Sequence, residues 1–96
     1  MRIALIGYGE VGRILAEDLA SHGHALRMHD LKLAGEAGNA MRQHAAGLGV
    51  AVAATHADVV QGAELVVSAV TASQAVPVAR ACAPAIAKGA FFLDFN

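Results

Sequence analysis

Arg2-Ile3-Ala4-Leu5-Ile6-Gly7-Tyr8-Gly9-Glu10-Val11-Gly12, at the head of the 96-residue chain, decides how everything after it is read. An apolar run of strand length passes at once into Gly-x-Gly-x-x-Gly and then into a helical pattern. Each glycine has a separate mechanical reason. Gly7 permits a tight turn off the strand, Gly9 has no Cβ to obstruct a pyrophosphate, and Gly12 lets the next helix pack closely on a sheet. The free N–H groups and positive dipole end of that helix then face the phosphates. Tyr8, Glu10 and Val11 belong to the same backbone turn and are counted with the glycines as candidate cofactor contacts. The Glu10 side chain itself is expected to point into solvent. Flexible loops produce such a glycine triplet by chance, but here the strand before it, the helix after it and a later acidic residue agree.

Outward from this turn, the first helix is expected over about Glu10 to His22. Val11, Ile14, Leu15 and Leu19 form the face laid on the sheet, and Arg13, Glu17, Asp18, Ser21 and His22 form the other. Gly23 is placed to end that helix. Ala25 to His29 reads as a second strand closing on Asp30, which completes a βαβ unit with a right-handed crossover. Leu31 to Leu48 is rich in Ala and Gly, so its helix, near Glu36–Ala46, is expected to be short or frayed. Val50 to Ala53 is a brief third strand. Thr55 caps a short helix over Ala57 to Gln61, with Asp58 three residues on. Leu65 to Val70 is the fourth strand, and a helix follows from Ser73 or Gln74 to Ala87. Pro77 must sit in its first turn or kink it, and Pro84 bends its end. Ala90 to Asp94 is the fifth strand. The pattern predicts one α/β domain: a Rossmann-type, doubly wound parallel sheet of about five strands in order 3-2-1-4-5, with helices on both faces.

Composition narrows the classes of function. The chain is 56% hydrophobic with a mean hydropathy of +0.50, which suits a sheet buried on both faces. A net charge of −1 and a pI near 6.5 give no basic field for nucleic acid or anionic lipid. No apolar run has the length of a membrane helix, and Ile3 to Ile6 is too short for a signal core. Cys82 stands alone, so no intrachain disulfide is expected and a reducing cytoplasm is compatible. If no sixth strand lies beyond the fifth, Phe91, Phe92, Leu93 and Phe95 mark an apolar edge through which a homodimer or an aggregation-prone fragment is expected.

Candidate chemistry is confined to ligand binding. Asp30, at the end of the second strand, stands where a carboxylate takes both ribose hydroxyls of an adenosine. Its charge repels a 2′-phosphate and so argues for NAD, while Lys32 and Arg27 keep NADP open. Arg13 either touches the pyrophosphate or is solvated or paired with Glu17. Val70 and Thr71 follow the fourth strand beside the first. Thr71 and Ser73 either hydrogen-bond the cofactor or cap the next helix. Asn96, closing Asp94-Phe95-Asn96 on the same edge, is placed to face nicotinamide or substrate. His22 and His24 flank a turn without a third ligand, so no metal is expected, and Cys82 reads as a small core residue. No catalytic residue is assigned.

The run Gly7-Tyr8-Gly9-Glu10-Val11-Gly12-Arg13-Ile14-Leu15-Ala16-Glu17-Asp18-Leu19 resembles the N-terminal fingerprint of the β-hydroxyacid dehydrogenases, the group of 6-phosphogluconate and 3-hydroxyisobutyrate dehydrogenases. Val11, Leu15 and Asp18 depart from that pattern. Phe92-Leu93-Asp94-Phe95-Asn96 is similar to the family's Asp-x-Asn/Ser segment. The resemblance implies a domain, residues 1–96, that binds NAD or NADP for hydride transfer from a hydroxy acid. It also implies a later helical domain carrying a catalytic lysine that Lys88 does not match. Without that domain the chain would bind its cofactor and not turn over. The alternatives are a free-standing dinucleotide-binding or sensing module, and a trimmed fold that binds nothing.

Overall fold

The apolar run Arg2–Ile6 forms β1 and stands at the centre of the sheet, as expected of a strand with no alternation of polar residues. A computed structural model describes residues 1–95. After β1 come α1 (Glu10–Ser21), β2 (Ala25–His29), a 3-10 turn (Leu31–Ala34), α2 (Gly38–Leu48), β3 (Ala51–Val52) and α3 (His56–Val60). Then follow β4 (Leu65–Ser68), α4 (Ala72–Cys82), a second 3-10 turn (Ala83–Ala85) and β5 (Phe91–Asp94). The strands make one sheet in the order β3-β2-β1-β4-β5, and every pairing is parallel. This is the doubly wound Rossmann arrangement, and the strand order reverses between β1 and β4.

Alternate residues of the central strands feed two cores. On one side Ile3, Leu5, Leu26, Met28 and Val67 pack with Ala16, Met41 and Ala45 from α1 and α2. On the other, Ala4, Ile6 and Val66 pack with Val59 and Val60 of α3 and with Val78 and Cys82 of α4. Cys82 is a buried core thiol, and burial pushes its pKa up.

Several expectations need correction. In α1 the sheet-facing residues are Gly12 and Ala16, flanked by the half-buried Leu15, Leu19 and Ala20, whereas Val11 and Ile14 are 47% and 57% exposed. The cause is close docking at Gly12, where an added Cβ would lie 2.1 Å from the Gly7 carbonyl oxygen. That approach rotates the small residues inward and the larger Val11 and Ile14 out. The Ala/Gly-rich helix is not frayed: α2 runs for 11 residues. Gly35 precedes it, Gly38 opens it against the Leu33 carbonyl, and Gly49 closes it in the left-handed conformation at φ 73°. Only Gly47 lies inside.

Strand β4 ends at Ser68 instead of Val70, because its partner β1 ends at Ile6. Pro77 sits inside α4, beyond its first turn. Pro84 falls in the 3-10 turn that replaces the helix's expected last turn, since it has no N–H to continue the α-helical ladder. Thr55 caps α3 as expected, its hydroxyl accepting from the Asp58 amide at 3.0 Å. β5 is the outer strand of the sheet, and Phe91, Phe92 and Leu93 on it and Phe95 just after it are exposed.

Candidate functional site

At the carboxyl ends of β1, β2 and β4, where the strand order reverses, a groove of about 370 Å³ opens. Its walls are Ile6, Gly7 and Gly9 from the first turn, Asp30, Leu31 and Lys32 after β2, and Ala69, Val70 and Thr71 after β4. His56, Gln74 and Val78 complete it. Six of the sequence candidates meet in or around this space. Gly7, Gly9, Asp30, Val70 and Thr71 line it, and Gly12 fixes the helix that points into it. Glu10 and Val11 form the first turn of that helix. Asn96 lies outside the described residues.

The three glycines answer to different constraints. Gly7 has φ +92°, and a Cβ there would stand 2.5 Å from the Ala69 carbonyl oxygen. Gly12 is held against Gly7 as described above. Gly9 differs: a Cβ added there would have nothing within 4 Å, and the residue is exposed in the groove. Nothing in the protein's own packing requires Gly9.

Two amides of the turn are already used internally. The Gly7 N–H donates to the His29 carbonyl at 2.9 Å, and the Tyr8 N–H donates to Asp30 Oδ2 at 2.7 Å. The amides at the start of α1 are different. Gly9 is its N-cap and no side chain caps it, so the first-turn N–H groups have no partner within the helix and are free for an anion. Arg13 folds back so that its Nε donates to the Gly9 carbonyl at 3.3 Å, rather than pairing with Glu17.

Asp30 is held from two sides. Oδ2 accepts from Tyr8, and Oδ1 accepts from the Lys32 amide at 2.8 Å, which caps the 3-10 turn after β2. A carboxylate has about four acceptor positions, so two remain for hydroxyl donors while the group is pinned in place. Of the two cations weighed for a 2′-phosphate, Lys32 lines the groove. Arg27 does not: its guanidinium donates to the Asp58 and Gln61 carbonyls at the end of α3. Thr71 takes the N-cap position of α4 without a side-chain capping bond, and its hydroxyl meets that of Ser73 at 3.2 Å.

Two sets of contacts were not expected from the sequence. His56 at the start of α3 lines the groove and meets His29 edge to face at 4.6 Å between ring centroids. Burial, and then the neighbouring His29, lowers its pKa, against the opposing pull of Asp30. His29 is itself buried, its Nδ1 at 2.9 Å from the Ala53 carbonyl. The second set is that of Tyr8, whose ring is fully buried rather than turned to the groove. Its hydroxyl meets His44 Nδ1 at 2.7 Å, and His44 Nε2 meets Glu17 at 3.0 Å. Burial, and then Glu17, raises the Tyr8 pKa, so the phenol stays protonated. Both contacts join segments far apart in sequence.

Among the described residues no three His, Cys, Asp or Glu side chains converge as a metal site, and no helix is long and apolar enough to cross a membrane. The groove offers uncapped helix amides, a pinned carboxylate and apolar walls.

The comparisons with known proteins fit this geometry. A family profile described as NADP oxidoreductase, coenzyme F420-dependent, matches residues 2–96. A conserved hypothetical protein of Sinorhizobium meliloti 1021 is 33% identical with a TM-score of 0.90, the match covering 100% of this chain and 32% of that one. A protein of Arthrobacter sp. FB24, described as a candidate F420-dependent NADP-reductase, is 34% identical with a TM-score of 0.81, over 98% of this chain and 44% of that one. The 3-hydroxyisobutyrate dehydrogenase of Mycobacterium tuberculosis is 24% identical with a TM-score of 0.84, over 97% of this chain and 30% of that one. At that identity the likeness shows the fold, and the resemblance to the cofactor domain of that dehydrogenase group holds on it. The chain spans about a third of the length of the first and last of these proteins. No functionally curated protein matches it.

Proposed function

We propose, starting from the fact that the chain belongs to the family of NADP oxidoreductases, coenzyme F420-dependent, that its groove holds a nicotinamide dinucleotide in a fixed way. Gly9 and the first-turn amides of α1, Glu10 and Val11 among them, receive the pyrophosphate. Asp30 takes the adenosine ribose hydroxyls on its two remaining acceptor positions, and Val70 and Thr71 border the nicotinamide end. The observation that carries this reading is Gly9. Gly7 and Gly12 are required by the fold, but Gly9 faces open space at an uncapped helix end, and a phosphate is what its missing Cβ would obstruct.

The pinned Asp30 carboxylate supports NAD over NADP, because a 2′-phosphate would meet its negative charge. NADP is the second reading. It is favoured by the family's description and by Lys32, an exposed ammonium on the same wall. When bound, the cofactor supplies hydride chemistry. The resemblance to β-hydroxyacid dehydrogenases supports a hydroxy acid as the partner substrate. We read residues 1–96 as the cofactor-binding part of a cytoplasmic oxidoreductase whose acid–base groups lie elsewhere, the alternative being a module that binds dinucleotide without chemistry. Parallel calorimetric titration with NAD, NADP and ADP-ribose tests the proposal. Tightest binding of NAD supports it, tightest binding of NADP supports the second reading, and no heat with any of the three refutes both.

A further inference from the structure

The buried contact of Tyr8 gives the phosphate-binding turn an anchor that its glycines do not. Tyr8 stands between Gly7 and Gly9 with its ring at 0% exposure, and its hydroxyl lies 2.7 Å from Nδ1 of His44 on α2. The two rings meet edge to face at 5.4 Å between centroids. Nε2 of His44 lies 3.0 Å from Oε2 of Glu17 on α1.

The polarity of this chain follows from its ends. An ionised Glu17 can only accept, so Nε2 carries a hydrogen; in the neutral imidazole Nδ1 is then the acceptor, and the Tyr8 O–H donates to it. The backbone of the same Tyr8 donates its N–H to Asp30 at 2.7 Å. One residue is thereby fixed at its ring by α1 and α2, and at its amide by the carboxylate after β2.

We propose that the Tyr8–His44–Glu17 relay is a positioning device for dinucleotide binding. It holds the turn so that the Tyr8 amide sets the Asp30 carboxylate with its free acceptor positions towards the groove, and so that Gly9 stays clear for the pyrophosphate. The inference rests on the dinucleotide reading and gives a role in it to three residues, none of which lines the groove. Tyr8, His44 and Glu17 are positioning residues that act through Asp30 and the turn.

The test uses the 96-residue chain with His44→Gln, His44→Leu and Tyr8→Phe, each titrated with NAD and ADP-ribose at a temperature where circular dichroism shows it folded. The amide proton of residue 8 is followed by NMR. A short N–H bond to a carboxylate should place that proton downfield in the wild type. His44→Leu and Tyr8→Phe should each move it upfield and weaken both ligands about ten-fold, as the loss of one hydrogen bond implies. His44→Gln should restore both readouts, because a glutamine carbonyl accepts from Tyr8 while its NH₂ donates to Glu17. A purely structural role would lower the melting temperature and leave the affinity of the folded variants unchanged, and that result overturns the proposal. So does a His44→Gln variant as impaired as His44→Leu. Should His44→Leu not fold, Tyr8→Phe keeps the ring and decides the question by the same two readouts. A wild-type chain that binds neither ligand refutes the dinucleotide reading itself, which is distinct from wild-type binding that the variants leave untouched.

Discussion

Replacing Gly9 and Gly12 separately by alanine should split binding from folding. At Gly9 the new methyl meets no protein atom within 4 Å, and φ is −80°, which any residue adopts. The folding cost is that of exchanging glycine for alanine at an N-cap, at most about 1 kcal/mol, or a fall in melting temperature of about 4–8 °C. In the proposed binding mode the same methyl stands where a phosphate approaches the α1 amides. Each amide–phosphate bond is charge-assisted and contributes about 1.5–3 kcal/mol. Displacement from two of them therefore raises the Kd roughly 10²- to 10⁴-fold. At Gly12 the methyl would stand 2.1 Å from the Gly7 carbonyl oxygen and 2.9 Å from its carbon, both backbone atoms with no rotamer to change. The helix must move off the turn, an overpacking cost of about 1–3 kcal/mol or more. Thermal denaturation and calorimetric titration of both variants check the pair: Gly9→Ala should melt close to wild type and fail to bind, whereas Gly12→Ala should melt well below it. Wild-type affinity in Gly9→Ala would show that the turn is not the contact surface, and wild-type stability in Gly12→Ala would refute the packing argument.

Asp30→Ala leaves the Tyr8 and Lys32 amides without their acceptor, which at the part-buried Tyr8 amide costs about 1–3 kcal/mol, while water can replace it at the exposed Lys32 amide. That damage weakens all ligands alike, so the informative quantity is the NAD-to-NADP affinity ratio, which should fall towards unity; an unchanged ratio removes Asp30 from the ribose. His56 should impose a pH dependence on stability. Burial lowers its folded pKa below the ordinary histidine value of about 6.5, so its stabilising neutral form is fully favoured above about pH 6.5. Stability is then lost as pH falls from there through the lower folded value. Denaturant unfolding of His56→Gln between about pH 7.5 and 5 should show a shallower decline than wild type, and parallel curves would contradict the assignment. The exposed apolar β5 edge should support self-association, so light scattering at high concentration should detect dimer in the wild type and monomer in Phe91→Lys. A wild-type monomer at all concentrations removes the homodimer.

Most of the fold was legible because it rests on local rules. The Ile3–Ile6 run and the Val-rich run at Leu65 each read as central parallel strands from their apolar sequence, the glycine turn read as the link from strand to helix, and the alternating β/α pattern supplied the order. The misreadings share a cause, which is that non-local geometry overrode the local pattern. Val11 and Ile14 carry the right spacing for a buried face, yet the closeness of Gly12 to Gly7 sets the rotation of α1 and turns them outward. The length of β4 is set by where β1 stops, and Ala69 and Val70, although apolar, fall beyond the last pair. In α2 the cost of glycine was assigned to the helix interior, but most of these glycines serve its ends, where Gly49 takes a left-handed conformation.

The candidate site divides along the same line. Its backbone half could be found from spacing, because a glycine turn followed by a helix and a carboxylate after the next strand are sequence-local features. Its side-chain half depends on contacts across many residues: His56 reaches the groove only because α3 crosses to the far face, and Tyr8 meets His44 only because α1 and α2 lie side by side. The Gly-x-Gly pattern leaves its middle residue unspecified, so nothing in it marks Tyr8. The signal that could have marked it is chemical. A tyrosine confined in a tight turn between two glycines must put its ring somewhere, and once the ring is buried the hydroxyl needs a partner. Histidine on the neighbouring helix can accept that hydrogen bond and donate another to a surface carboxylate, so the burial of one aromatic ring brings α1, α2 and the Asp30 carboxylate into a single hydrogen-bonded unit.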